Sequence, residues 1–184
     1  MPPELSSDFD SAFDTAVRRG WMSGNQYRYL ADVFRSASNA SLLVFGIGYD
    51  SLLWSHCVAG DLAFVEDQPI YLTLAPVSSS ILLYEYSSSV GQWKDVPEAP
   101  ALVDRPWDYL LVDGPAGFAP DKPGRQFPIA WAAQLATRRI FVHDYERSWE
   151  RAVCDKILGQ PAEVVVPKER DSGELAVFDC ANLR

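Results

Sequence analysis

Five residues of this chain are of types, and at spacings, that carry chemistry: Gly46, Gly48, Glu66, Asp113 and His143. Leu42-Leu43-Val44-Phe45-Gly46-Ile47-Gly48-Tyr49-Asp50-Ser51 reads as an apolar strand that turns through G-x-G into a helix. The first glycine permits the tight turn. The second lets backbone approach a ligand without a Cβ in the way. A second apolar run ends at Glu66, 20 residues beyond Gly46, where a carboxylate can accept ribose hydroxyls of a bound nucleoside. Two further runs end in Val112-Asp113-Gly114-Pro115-Ala116-Gly117 and Val142-His143-Asp144. In an open parallel sheet ligands bind outside the carboxyl ends of the strands, so all these groups converge on one rim.

The chemistry of that rim has alternatives. An imidazole beside carboxylates is a suitable general base, since nearby negative charge raises its basicity. Asp113, His143 and Asp144 are also a donor set that a divalent ion such as Mg²⁺ or Mn²⁺ would accept, although no metal is expected from the sequence. The plain reading is that Asp144 caps the following helix and Asp113 anchors its own loop. For the nucleoside, NAD and S-adenosylmethionine (SAM) both fit a G-x-G turn followed by an acid. Two details favour SAM. Ser51 stands where a dinucleotide fingerprint has its third glycine, and Asp50 would repel a pyrophosphate at the helix start but suits an α-ammonium group. The expected donor-binding set is Phe45, Gly46, Gly48, Asp50, Ser51, Glu66, Asp67 and Asp113. Asp113, His143, Asp144 and Tyr49 are the candidates for proton transfer. Arg125, in the turn-rich Pro120–Arg125 loop, is a candidate carboxylate fork for an acidic acceptor or for the ligand's own carboxylate, with Gly117 beside it; a solvated arginine is the plain reading.

The elements that must position these groups are legible in outline. Phe9, Phe13 and Val17 mark one helix face, and Ser23 is a plausible N-cap for a second helix running to about Ser36. Beyond residue 37 short apolar runs alternate with helical stretches. Strands are expected at Leu42–Phe45, Leu62–Val65, Ile81–Tyr84, Tyr109–Val112, Ile140–Val142, Glu163–Val166 and Leu175–Phe178. Helices are expected at Ser51–Val58, Ile70–Ala75, Pro128–Thr137 and Arg147–Leu158. Non-alternating Val/Ile/Leu runs imply strands buried on both faces of a mostly parallel sheet. The last two runs read as an antiparallel hairpin at the sheet edge, and Ser87 to Arg105 as a short helix and a loop. The fold class is therefore α/β, a Rossmann-like seven-stranded sheet with the arrangement of class I methyltransferases. Residues 1–37 form a helical cap on the same domain.

Bulk properties narrow the function. A length of 184 residues suits one domain burying roughly 70% of its unfolded surface. The formal charge of −9 and the absence of a basic stripe argue against nucleic acid. The longest apolar runs are strand-sized, so no membrane partner is expected, and a cytoplasmic location is. The three cysteines, 57, 154 and 180, have no C-x-x-C spacing and read as buried small hydrophobes. The expected partner is a small-molecule substrate. A homodimer is allowed.

Val44-Phe45-Gly46-Ile47-Gly48-Tyr49-Asp50-Ser51-Leu52-Leu53-Trp54 resembles the V-F-G-L-G-H-D-S-x-x-W block of the plant glucuronoxylan 4-O-methyltransferase family, a polysaccharide-biosynthesis domain. Phe64-Val65-Glu66-Asp67 is similar to its F-L-E-E segment. Trp107-Asp108 through Asp113, Pro115 and Gly117 resembles its W-D-x-x-x-x-D-x-P-x-G, Pro123-Gly124-Arg125 its P-G-R, and Val142-His143-Asp144 its L-H-D. Tyr49 stands where the family pattern has histidine. The resemblance implies a class I fold, SAM as methyl donor, and a hydroxyl acceptor on a glucuronic acid residue. The leading expectation is thus O-methylation of a small or sugar-acid acceptor. Two others stand beside it: a cyclase or lyase that expels methylthioadenosine from SAM without an acceptor, and a non-catalytic SAM-binding scaffold.

Overall fold

The computed structural model describes residues 4–168 and 172–182. Two helices lead, α1 (Glu4–Arg19) and α2 (Gly24–Ser36), and the sheet follows with β1 (Leu42–Phe45), β2 (Leu62–Glu66), β3 (Ser80–Leu83), β4 (Trp107–Val112), β5 (Ala136–His143), β6 (Glu163–Val165) and β7 (Leu175–Asp179). Helices α3 (Ser51–Cys57), α4 (Gln126–Leu135) and α5 (Ser148–Ile157) make crossovers. The strand order is β3-β2-β1-β4-β5-β7-β6, with β7 antiparallel to both neighbours and the other pairings parallel.

β1 is buried along its whole length, as is most of β2, β4 and β7, because helices cover both faces. On one face α1, α2 and α3 share a core with the sheet. Trp54 packs on Tyr27 and Phe34, and Phe34 on Tyr109 and Phe141, at centroid distances of 5.4–5.9 Å. In α1 the small residues Ala12 and Ala16 are buried, with Phe9, whereas Phe13 and Val17 are only partly buried. On the other face Trp131 of α4 anchors an aromatic cluster with Phe45, Tyr84 and Phe127.

The N-cap expected at Ser23 is present as a capping box: the Ser23 N–H donates to Gln26 Oε1 at 2.9 Å. Gln26 Nε2 also donates to the carbonyls of Val165 and Gly173, tying α2 to the ends of β6 and β7. All three cysteines are buried, and none is in a disulfide.

Several expectations are corrected. Pro69–Leu74 is a 3-10 turn with no buried residue, not an α-helix. The segment 87–105 forms no helix; its prolines leave it irregular, held to α4 by Trp131 Nε1 donating to the Pro97 carbonyl and by Gln126 bonded to Lys94. Residues 136 and 137 belong to β5 and not to the preceding helix. The hairpin does lie at the sheet edge, but with β7 inside and β6 outermost. β3 is a largely exposed edge strand.

Candidate functional site

The carboxyl ends of β1, β2, β4 and β5 surround a cleft of about 1030 Å³ that both sequence-derived clusters line. At the β1 end Gly46 has φ +107, which a Cβ would strain. It also lies against Gly114, so a Cβ on Gly46 would stand 3.1 Å from Gly114 N, and one on Gly114 would stand 2.9 Å from Gly46 Cα. The two glycines thus let the loops after β1 and β4 touch. A Cβ on Gly48 would come 2.9 Å from Asp50 Oδ1, so a side chain there would push that carboxyl aside.

Glu66, almost wholly buried, holds this end together. Its Oε2 accepts the Ile47 N–H at 2.7 Å, and its Oε1 accepts those of Asp67 and Gln68 at 2.9 and 2.7 Å. A carboxylate has about four lone-pair sites, so roughly one remains for a ligand hydroxyl. Asp67 lines the cleft beside it and accepts from Gln68 Nε2. Asp50 precedes α3 but makes no capping bond; its buried carboxyl lines the cleft, and among the described residues no lysine or arginine pairs with it. Burial, with Asp113 nearby, pushes its pKa up to about 7.

Three members of the expected donor and catalytic sets have other roles. Phe45 is core, packed on Trp131. Ser51 is buried, its Oγ accepting the Gly48 N–H at 3.0 Å, so it shapes the turn. Tyr49 is a correction. Its ring lies under the Arg19 guanidinium, 3.9 Å from ring centre to Cζ, its hydroxyl accepts from Arg19 Nη2, and it is not part of the cleft wall.

At the reacting end His143 Nδ1 is 2.8 Å from Asp113 Oδ1, and the buried Nε2 has no protein partner. A carboxylate can only accept, so the Nδ1–H points to Asp113 and Nε2 carries the lone pair of the neutral ring. Asp144, at φ +59, sits in the left-handed region and pairs with Arg125 Nη2 at 2.6 Å and Arg147 Nη1 at 2.9 Å. Burial would raise the Asp144 carboxyl, but Arg125, His143 and Arg147 together hold it below the usual range. It does not cap α5.

Arg125 is the second correction. It is buried, and its guanidinium donates to the carbonyls of Asp113, Pro115 and His143 as well as to Asp144. Burial opposes its charge, but Asp144 and Asp113 more than offset that and raise its pKa. It ties the ends of β4 and β5 together rather than standing free as a fork for the acceptor. Gly117 likewise does not face the cleft: a Cβ there would collide with the Glu150 carboxyl. Glu150 is fully buried, and burial, eased by Arg125, raises its pKa.

Asp113, His143 and Asp144 offer donor atoms within 4.8 Å of one another. Two guanidinium groups already balance the two carboxylates, so a divalent ion would have to compete with Arg125 and Arg147 for Asp144. Gly114 and Gly173 also line the cleft without being among the expected site residues. A Cβ on Gly173 would run into Asp144, and the Ser172-Gly173 step before β7 is its only local signal.

With this geometry in view, the comparisons bear on kinship. The family model described as IRX15/IRX15L/GXM matches residues 86–170, which include Asp113, Arg125, His143 and Asp144. Over that segment the chain is similar to the IRX15/IRX15L/GXM family. Of its Arabidopsis thaliana relatives, Protein IRX15-LIKE is 29% identical over 74% of this chain and 56% of its own length, and Glucuronoxylan 4-O-methyltransferase 1 is 27% identical over 77% and 66%. The chain thus spans between half and two thirds of these relatives. Among solved structures it is similar to the O-methyltransferase from Bacillus cereus in complex with SAH (S-adenosylhomocysteine), TM-score 0.57 at 12% identity over 97% and 92% of the two chains. Thermoplasma acidophilum 1320 gives a TM-score of 0.60 at 13% identity over 95% and 96%. These likenesses show the class I methyltransferase fold, as the sequence implies.

The roles assigned to the donor end make one expectation immediate. Glu66→Gln puts an amide NH₂ against backbone N–H groups and removes a charge-assisted acceptor. On the expectation that this cleft takes SAM, affinity for it should fall roughly 10- to 100-fold, for the loss of about 1.5–3 kcal/mol. Calorimetric titration checks this; unchanged affinity would mean that the ribose lies elsewhere.

Proposed function

We propose that this chain is a SAM-dependent O-methyltransferase that acts on a hydroxyl of a saccharide. The observation that carries the reading is the Asp113–His143 pair, whose unpartnered Nε2 belongs to a residue of the same cleft as Glu66 and Asp50. Glu66 fits a ribose hydroxyl, and the buried, cation-free Asp50 carboxyl fits an α-ammonium group; SAM carries both.

When bound, SAM supplies a methyl group activated by its sulfonium. The protein supplies position and a proton acceptor. Asp113 fixes the imidazole so that His143 Nε2 takes the acceptor's hydroxyl proton as the oxygen gains the methyl group. The imidazolium formed is stabilised by the Asp113 carboxylate. Arg125 keeps Asp113 and His143 in register by binding both of their carbonyls, and neutralises Asp144 beside them.

The saccharide acceptor is supported by the names of the relatives, which include Arabinogalactan O-methyltransferase 2 and Glucuronoxylan 4-O-methyltransferase 1. The cleft itself adds a physical argument. Trp21 and Phe118 line it while remaining 75% and 69% exposed. Large aromatics are seldom left so open, and their faces suit the apolar face of a sugar ring. Trp21→Ala should raise the acceptor KM several-fold and leave the SAM affinity unchanged; an equal KM would remove Trp21 from the acceptor path.

The test is to incubate the protein with SAM, with and without glucuronoxylan or arabinogalactan fragments, and to identify the nucleoside product. S-adenosylhomocysteine formed only with a glycan supports the proposal. Methylthioadenosine formed without one would replace it by the cyclase reading, which has lost Tyr49 as a candidate base.

A further inference from the structure

The order of strand ends along the rim fixes the side from which an acceptor reaches His143. Glu66 ends β2 and Gly46 follows β1, both on the far side of Asp113 from β5, so the donor assigned to them lies on that side. Beyond β5 come β7 and β6, whose ends at this rim are Leu175 and Val165, and Leu175 is paired with His143. Val166 and Pro167 after β6, and Ser172, Gly173 and Glu174 before β7, line the cleft. Gly173 packs on the residue next to His143: a Cβ on it would stand 2.7 Å from Asp144 Cα. An acceptor held at His143 opposite the donor therefore lies against these residues.

Two side-chain amides at the start of α2 hold that wall. Gln26 is fully buried; its Nε2 donates to the carbonyls of Val165 at 3.0 Å and Gly173 at 2.7 Å, and its Oε1 accepts from Ser172 Oγ at 3.1 Å. Asn25 Nδ2 donates to the Val166 carbonyl at 2.9 Å, and Asn25 Oδ1 accepts the Lys168 N–H at 3.1 Å. Each amide nitrogen meets carbonyls and each amide oxygen meets donors, so neither amide can turn over without setting like against like. Capping α2 needs only the oxygen that Gln26 gives to the Ser23 N–H; the bonds to β6 and β7 go beyond it. The β7 side has further support, since the Tyr145 N–H donates to the Glu174 carbonyl and the Glu174 N–H to Glu146 Oε2. The β6 side is tied through Asn25.

We infer that Asn25 and Gln26 are positioning residues of the acceptor side of the cleft, holding Val166, Pro167 and Gly173 where the saccharide beside His143 must lie. This rests on the methyltransferase reading. Trp21, two residues before the Ser23 cap, lines the same cleft and is largely exposed, as is Val166. One capped helix start thus sets the place of two open apolar side chains that a sugar ring would meet. Neither amide lines the cleft, so their loss should weaken acceptor binding and spare both the donor and the proton transfer.

The experiment is steady-state kinetics of wild type, Asn25→Ala, Asn25→Asp and Gln26→Met with glucuronoxylan or arabinogalactan fragments. Calorimetry on the same proteins gives S-adenosylhomocysteine affinity and Tm. The acceptor KM should rise roughly three- to tenfold in each variant, the scale of one or two lost hydrogen bonds. Values of kcat and S-adenosylhomocysteine affinity should stay within about twofold of wild type. Gln26→Met leaves two carbonyls without their donor and should also lower Tm. Asn25 is only partly buried, so its variants keep the fold and decide the question. Asn25→Asp retains the accepting oxygen but sets a carboxylate against the Val166 carbonyl, and should behave as Asn25→Ala does. A wild-type acceptor KM in both Asn25 variants, whatever the Tm, would overturn the inference, as would an equal loss of S-adenosylhomocysteine affinity. If wild type forms no S-adenosylhomocysteine from SAM with any glycan, the methyltransferase reading falls and the role of the two amides with it.

Discussion

His143→Gln should lower kcat for methyl transfer by about 10²- to 10⁴-fold while S-adenosylhomocysteine binds as tightly as to wild type. Glutamine is close to imidazole in size and keeps a polar group beside Asp113, but it has no basic lone pair. The effect should fall on kcat rather than on KM, since Nε2 meets the acceptor's proton only as the new bond forms. Asp113→Asn should follow in the same direction, because the amide can present its NH₂ to Nδ1 and so favour the wrong tautomer. Steady-state kinetics with titration of the product nucleoside separates these terms. A kcat within threefold of wild type in His143→Gln would exclude His143 as the base and leave the cleft's carboxylates to take the proton.

Arg125→Met should be the most damaging substitution for the fold itself. The guanidinium is buried, pairs with Asp144 at 2.6 Å, and satisfies carbonyls at the ends of both β4 and β5. Methionine fills the volume but leaves a buried carboxylate without its main partner, a loss of about 3–5 kcal/mol for a broken buried pair. For a domain of this size that corresponds to a fall in Tm of roughly 10 °C. Scanning calorimetry reads it directly. Arg125→Lys should recover only part of the loss, since a point charge cannot serve carbonyls on two strand ends and a carboxylate together. A Tm shift below 2 °C in Arg125→Met would show that Arg147 alone suffices for Asp144.

What the sequence discloses and what it conceals divide along physical lines. β1, β2 and β4 are legible because strands covered on both faces must be continuously apolar, and Leu42–Phe45 is such a run. The first half of β5 is not legible. Ala136 and Thr137 look like the end of the preceding helix and Arg138 and Arg139 fall outside any expected element, yet Arg138 pairs with Asp108 and Arg139 with Asp179 across neighbouring strands, contacts that no local pattern encodes. That β7 rather than β6 adjoins β5 is equally invisible, because both runs are short and apolar.

The site divides in the same way. Gly46, Glu66, Asp113 and His143 could be placed because strand tips in an open α/β sheet share one rim, so position along the chain implies position in space. The roles of Arg125 and Tyr49 are not legible, because a motif gives a residue's identity but not the direction of its side chain.

If one cleft presents Asp50, Glu66 and His143 to a single bound nucleoside, a crystal structure with S-adenosylhomocysteine will hold the ligand's ammonium group on Asp50, a ribose hydroxyl on Glu66, and the sulfur turned toward His143. A ligand bound away from these residues, or one whose sulfur faces away from His143, would contradict it.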